Sequence, residues 1–236
     1  MGHLGKLYLL PVPIIEEGGH KFIPSYNSEI ISTLKTFIAE DAKTARRCLK
    51  GFAYPNLPGA EILLLNEHTK SGDLSALLKP LLNGQNVGLM SDAGCPGIAD
   101  PGADVVKLAH QSGIEVVPLV GPSSIVLSIM ASGFNGQNFA FVGYLPIEKP
   151  LKVKRLKELE ILAQKQNQAQ FFIETPYRNE QMLDTILESL APQTLVFIGR
   201  DISSSKQLLL SKTVAEWKKG PKPAMHKVPV VYGIYR

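Results

Sequence analysis

The segment with the most chemical content is Ser91-Asp-Ala-Gly-Cys-Pro-Gly-Ile-Ala-Asp-Pro-Gly102. It is crowded with Gly and Pro, and it joins an apolar run, Val87 to Met90, to a stretch that reads as a helix after Asp100. Open α/β sheets bind ligands outside the carboxyl ends of their strands, and Gly94 and Gly97 would let backbone approach a ligand closely there. Asp92 or the loop N–H groups could hold ribose hydroxyls or an amino-acid moiety. The bland alternative is that the glycines serve tight turns and that Asp100 only caps the helix. A second junction of similar design, Val120-Gly-Pro-Ser-Ser124, puts hydroxyls where a helix begins, and helix N–H groups suit a carboxylate or a polar adenosine edge. Its alternative reading makes Ser123 an N-cap and nothing more.

Other chemistries lack their residues. There is no GxxxxGK[ST], no GxGxxG after the first strand and no GxSxG elbow. His3, His20, His68, His110 and His226 are scattered without metal-ligand spacing, so they read as surface residues and no catalytic metal is expected. Cys48 and Cys95 form no CxxC pair, which suggests neither a disulfide framework nor a zinc site. The net charge of +4 favours an anionic partner without demanding one. No stretch has the length of a membrane span or the pattern of a secretory signal, so a cytoplasmic protein is expected.

These loops need a scaffold, and 236 residues suffice for two domains. In the first half, strands at Lys6–Leu10, Glu61–Leu65, Val87–Met90 and Ile114–Val120 alternate with helical patterns. One helix is expected from an Asn27 or Ser28 cap with Ile30, Ile31, Leu34, Phe37 and Ile38 on its face, and another over Asp41–Lys50. A third runs from an Asp73 cap through Leu82, weakened by Pro80, and a fourth follows Asp100 as N-cap and Pro101 as first residue. Alternation of this kind implies a mainly parallel sheet. In the second half, strands at Phe139–Leu145, Gln170–Glu174, Thr194–Gly199, Leu208–Ser211 and Val228–Tyr235 follow one another less regularly. With helices at Ser124–Ser132, Leu151–Gln166, Asn179–Leu190 and Thr213–Lys219, the second sheet should be mixed. The expected domains are 1–120 and 121–236. Lys149, Lys152, Lys154, Arg155 and Lys157 would form a basic helical face opposite Leu156, Leu159 and Leu162, either meeting RNA phosphates or simply solvated.

Five segments occur together in an order and spacing that resemble one family. They are Lys6-Leu-Tyr-Leu-Leu-Pro-Val-Pro-Ile14, Ser91 to Gly102, Val117-Pro-Leu-Val-Gly-Pro-Ser-Ser124, Phe141-Val-Gly-Tyr-Leu-Pro146 and Phe172-Ile-Glu-Thr-Pro-Tyr-Arg178. The chain resembles the tetrapyrrole-methylase superfamily over nearly its whole length, and within it the bacterial small-subunit ribosomal RNA ribose 2′-O-methyltransferases. The resemblance implies a homodimer of chains with two α/β domains, holding S-adenosylmethionine in the cleft between them and acting on RNA. Carried over by position, Pro13, Ser91, Asp92, Ala93, Gly94, Gly97 and Ile98 would line the cofactor. Ser123, Ser124 and Tyr144 would complete its site, and the segment around Glu174 would help to close it.

The departures fall on the substrate side. Ile15-Glu-Glu-Gly-Gly19 stands where the family has Gly-Asn-Leu, Glu40-Asp41-Ala42-Lys43 where it has Glu-Asp-Thr-Arg, and Glu174-Thr-Pro-Tyr-Arg178 where it has Glu-Ser-x-His-Arg. Its His-x-x-Asn-Glu is reduced to Asn66-Glu67-His68. Tyr177 in place of His removes a group that titrates near neutrality, so no general base is inherited. Glu40, Asp41, Glu174 and Arg178 are the catalytic candidates, with the carboxylates orienting or deprotonating the acceptor hydroxyl and the arginine holding phosphate. For Glu174 and Arg178 an ion pair at the domain interface is the other reading. Methylation of a small tetrapyrrole-like molecule is the alternative activity, although the Gly-Pro-Gly-Asp turn such enzymes carry is replaced by Pro11-Val-Pro13. A dimer that binds RNA or senses cofactor without catalysis is a further alternative.

Overall fold

A computed structural model describes residues 3–15, 17–65 and 71–236, the side chains of 71–73 excepted. The chain divides into two compact units, Met1–Ser123 and Ser124–Arg236.

The first unit is built on five parallel strands: β1 (Leu7–Leu10), β2 (Thr36–Ala39), β3 (Glu61–Leu64), β4 (Val87–Met90) and β5 (Val116–Pro118), in the order β3-β2-β4-β1-β5. The connections after β1 and β2 step toward β3, and those after β3 and β4 step toward β5. Right-handed crossovers then put the two pairs on opposite faces of the sheet. The packing agrees. Ile31 and Leu34, in and just after α1 (Ser25–Thr33), and Ala45 and Leu49 of α2 (Ala42–Gly51) join Leu10, Phe37 and Met90 on one face. Leu77, Leu81, Val105 and Ala109, from α3 (Ser71–Leu77), α4 (Lys79–Leu82) and α5 (Gly102–Gln111), join Leu7, Ile38 and Leu89 on the other. The loop after β4 therefore leaves the sheet away from those of both neighbours, β2 and β1, and a crevice opens at such a divergence.

Several expectations require correction. The helix expected to run through Phe37 and Ile38 stops at Thr33, because those two residues belong to β2, which is buried on both faces between β3 and β4. A short apolar run buried on both faces does not distinguish helix from strand by its spacing. Asn27 does not cap α1, which begins at Ser25; it is buried and its amide donates to the Val120 carbonyl at 2.9 Å. The third helix begins at Ser71, so Asp73 lies inside it. Rather than weakening a last turn, Pro80 occupies the first turn of a separate helix, where its missing N–H costs nothing. β5 is shorter than the expected Ile114–Val120.

The second unit carries a mixed sheet, as expected: β6 (Phe139–Tyr144), β7 (Ala169–Ile173), β8 (Leu195–Arg200), β9 (Leu208–Thr213) and β10 (Val230–Tyr235), in the order β6-β7-β10-β8-β9. Only β6 and β7 run parallel. α7 (Lys149–Gln166), α8 (Asn179–Ser189) and α9 (Val214–Lys219) cover one face through Leu156, Leu159, Leu183, Ile186 and Trp217, while α6 (Ser124–Ser132) accompanies the smaller Phe134–Phe171–Phe197 core on the other. Lys152 is not part of a basic face. It occupies the buried stripe Lys152, Leu156, Leu159 and Ala163, leaving Lys149, Lys154 and Lys157 exposed. Among the described residues no helix is long and apolar enough to cross a membrane.

Candidate functional site

The loop after β4 is held from both ends. Val12 and Gly94 exchange backbone hydrogen bonds of 2.9 and 3.2 Å, which ties it to the Pro11-Val-Pro13 turn after β1. At the far end the Asp100 carboxylate accepts from the Gly97 N–H at 2.8 and 3.0 Å and from the Gly102 N–H at 2.6 Å. The expected N-cap at Asp100 is thus displaced by one residue, since Pro101 stands at the cap position of α5, and Asp100 clamps the loop as well as the helix start. Cys95 points its thiol at the Pro122 carbonyl, 3.4 Å away, and so links the loop to the end of the first unit.

Gly94 and Gly97 have φ of +76° and +83°, and Ala99 has φ of +61°. The two glycines adopt this left-handed backbone without the steric penalty that a Cβ brings, whereas Ala99 does so at a cost of about 1–2 kcal/mol that the clamp must hold. A Cβ at Gly97 would meet nothing closer than 3.9 Å, so close packing does not demand a glycine there; conformation does. Around this loop Ser91 is buried, with its hydroxyl donating to the Ala93 carbonyl at 3.2 Å. Asp92 and Ala93 are exposed, Pro13 is half-buried, and Ile98 leaves 48% of its surface to solvent.

Strand register brings acid to this end of the sheet. Ala39 pairs with Met90, so Glu40 and Ser91 leave neighbouring strands side by side. Burial raises the Glu40 carboxyl above the usual carboxylate range, and the charges of Asp92 and Asp100 add to this, although a hydrogen bond from the Asp92 N–H opposes it. Asp92 is likewise raised: although the residue is exposed, the loop screens its carboxyl from part of the solvent, and the charge of Asp41 adds to this against an opposing pull from Arg47. Asp100 is raised by burial despite its backbone donors. Asp41 differs. It caps α2, accepting from the Thr44 N–H at 2.7 Å, and that hydrogen bond holds its carboxyl low.

Glu174 and Arg178 lie in the second unit, in the turn after β7. The Glu174 side chain is fully buried; its Oε1 accepts from Arg178 Nε and Nη2 at 3.0 and 2.6 Å and from the Thr175 N–H at 2.8 Å, while its Oε2 meets Lys152 Nζ at 3.1 Å. Burial alone would raise this carboxyl, but the bonds from Arg178, Thr175 and Lys152 outweigh it and hold the group below its usual range. Sequence reasoning missed Lys152 as the partner, although its phase with Leu156 and Leu159 on α7 was a signal of burial. Arg47, which answers Asp92, had no such signal.

Ser123 immediately precedes α6, of which Ser124 is the first residue, and both are half-buried. Tyr144 ends β6 and is 56% exposed, just past Gly143 at φ +70° and a break in the register with β7. Asn66, Glu67 and His68 lie outside the described residues. His3, His110 and His226 are exposed, but His20 is half-buried; its ring meets that of Phe52 edge-on at 4.7 Å, and burial lowers its pKa.

No family model matches the chain. In fold it resembles the crystal structure of the methyltransferase CobJ, with a TM-score of 0.64 over 100% of this chain and 95% of that one at 15% identity. By sequence it is 30% identical to the ribosomal RNA small subunit methyltransferase I of Vibrio cholerae over 210 residues, covering 89% of this chain and 69% of the relative. It is also 30% identical to the protein of that name from Thermotoga maritima over 213 residues, covering 90% of both chains. The Escherichia coli O157:H7 protein is 29% identical over 212 residues, 90% of this chain and 70% of its own. With relatives that match through both units, and loops after β1 and β4 whose geometry explains their residues, the chain belongs to the ribosomal RNA small subunit methyltransferase I family.

Proposed function

We propose that the chain is an S-adenosylmethionine-dependent methyltransferase of small-subunit ribosomal RNA, with a ribose 2′-hydroxyl as acceptor. The observation that carries this reading is the loop after β4, which departs from both neighbouring connections and is surrounded by carboxylates that repel one another. A ligand bearing sulfonium and ammonium charges relieves that repulsion, and the exposed Asp92 carboxylate has the two acceptors that ribose hydroxyls need. The donor set therefore fits the cofactor. Pro13, Ser91, Asp92, Ala93, Gly94, Gly97 and Ile98 would hold it from the first unit, with Ser123, Ser124 and Tyr144 as further contacts.

When bound, the cofactor supplies an electrophilic methyl group whose leaving partner is a neutral thioether. The chain's own work is to align the acceptor hydroxyl and take its proton. Glu40 suits the second task, since a raised pKa makes it a stronger base than an ordinary carboxylate and half-burial strips it of water. Asp41 and Glu174 suit it poorly, because each is committed to donors that hold its pKa low. We assign Glu174 and Arg178 to organising the turn after β7. The reading includes a homodimer working in the cytoplasm.

Calorimetric titration with S-adenosylmethionine tests it, followed by labelled methyl transfer to hypomethylated small ribosomal subunits. Binding that is lost in an Asp92→Ala, Gly97→Val double variant, with transfer to ribose, is the expected result. Absence of binding by the intact chain contradicts the reading.

A further inference from the structure

We propose that Tyr177 is a stacking platform for an unpaired nucleobase of the RNA substrate, with Arg178 and Lys227 as the cations that hold the adjoining phosphates. This rests on the RNA acceptor proposed above and names the surface of the second unit that meets it.

Tyr177 leaves 70% of its surface exposed in the turn between β7 and α8. So large an aromatic surface in water is unfavourable by about 25 cal/mol per Å² unless a partner covers it. The turn that carries the ring is held in place. The Arg178 N–H donates to the Thr175 carbonyl at 2.9 Å, and the Lys227 N–H donates to the Pro176 carbonyl at 3.0 Å, which joins the turn to the segment before β10. His226 meets the ring edge-on at 6.1 Å between centroids and 81° between planes, and Lys227 Nζ stands 5.7 Å from the ring centre. Lys227 itself has φ of +58°, a conformation that a side-chain-bearing residue holds only when its surroundings impose it.

The charge around this ring suits a polyanion. Lys152 and Arg178 both pair with the fully buried Glu174, and Lys227 adds a further cation over the ring, while Glu180 accepts from the Met225 N–H on the neighbouring segment. Glu174 orients the guanidinium through Nε and Nη2 while the Arg178 side chain stays 31% exposed. An aromatic face beside oriented cations is how proteins hold single-stranded nucleic acid, because every base has a π-face and every nucleotide a phosphate. In a duplex both faces of a base are covered by its neighbours, so the platform calls for an unpaired nucleotide.

Binding of a fluorescently labelled, unstructured oligoribonucleotide and of its abasic counterpart, read by anisotropy, tests the assignment with Tyr177→Ala, Tyr177→Phe and Tyr177→Trp. Tyr177→Ala should weaken binding of the base-bearing strand by about five- to a hundred-fold, while Phe and Trp stay within about two-fold. The abasic strand should not distinguish the variants, S-adenosylmethionine titration should be unchanged in all of them, and bases should quench the emission of Tyr177→Trp. If Tyr177→Ala binds RNA as the parent does, the platform falls and the methyltransferase reading stands. Loss of cofactor and RNA affinity together would show a general structural role and overturn the platform. A parent chain that does not bind the oligoribonucleotide removes the platform, and the methyltransferase reading is then decided by methyl transfer to small ribosomal subunits.

Discussion

Glu174, singled out for chemistry, sits in a cluster whose bonds also organise structure. It was legible as important, since it sits in a motif with Arg178, but its third partner, Lys152, comes from α7 and no local pattern ties the two together. The buried carboxylate is satisfied by two cations and a backbone N–H, and removing one member of such a cluster strands the others away from water. Glu174→Gln should therefore cost about 3–5 kcal/mol of stability in urea unfolding. The pH dependence has a definite sign. Because the folded-state pKa lies below the unfolded one, this stabilisation is complete above the usual carboxylate range and is lost as pH falls through that range toward the depressed folded value. The parent should lose stability across that acid window, and the glutamine variant should lack this contribution to the loss. A parallel acid limb in both proteins would mean that Glu174 is not held low.

At the scale of elements, the loop between β4 and α5 shows which parts of the fold a sequence can announce. Gly94 and Gly97 were readable because their residue type reflects backbone conformation, and the alternation of strands and helices was readable because burial imposes a period. The end of α1 was not, because Phe37 and Ile38 keep helical spacing yet are claimed by strand pairing with β3 and β4, which come later in the chain. The clustering of Glu40 with Asp92 was hidden for the same reason: it follows from β2 pairing with β4 across the sheet. Asp100 carries a prediction at this scale, since one carboxylate both closes the loop at Gly97 and starts the helix at Gly102. Asp100→Ala leaves those donors without an acceptor and should cost about 1–3 kcal/mol in unfolding. It should also loosen the strained Ala99 and weaken S-adenosylmethionine binding. A stability loss with cofactor affinity intact would separate the clamp from the binding site.

For the whole molecule, charge is distributed unevenly relative to the total. The chain carries a net +4, yet the ends of β2 and β4 gather carboxylates whose ionisation is opposed by burial and by one another, while Lys149, Lys154 and Lys157 lie exposed on the second unit. On the proposed reading, the carboxylates suit a cationic cofactor and the exposed lysines a polyanionic substrate. If the carboxylates face the bound cofactor as proposed, they tie its binding to global stability. Glu40, Asp92 and Asp100 have raised pKa values in the folded chain, so without ligand they contribute stability below the usual carboxylate range that is lost as pH rises through their folded values. A bound cation reverses the preference by favouring the ionised forms. S-adenosylmethionine at a hundred times its dissociation constant should stabilise the folded chain by about 2.7 kcal/mol at neutral pH. At the same ligand concentration the gain should shrink as pH is lowered through the raised carboxyl pKa values, because binding must then expel protons. Differential scanning calorimetry at pH 5 and pH 8, with and without the cofactor, reads both quantities. A ligand-induced shift that is no larger at the higher pH would mean that these carboxylates do not face the bound cation.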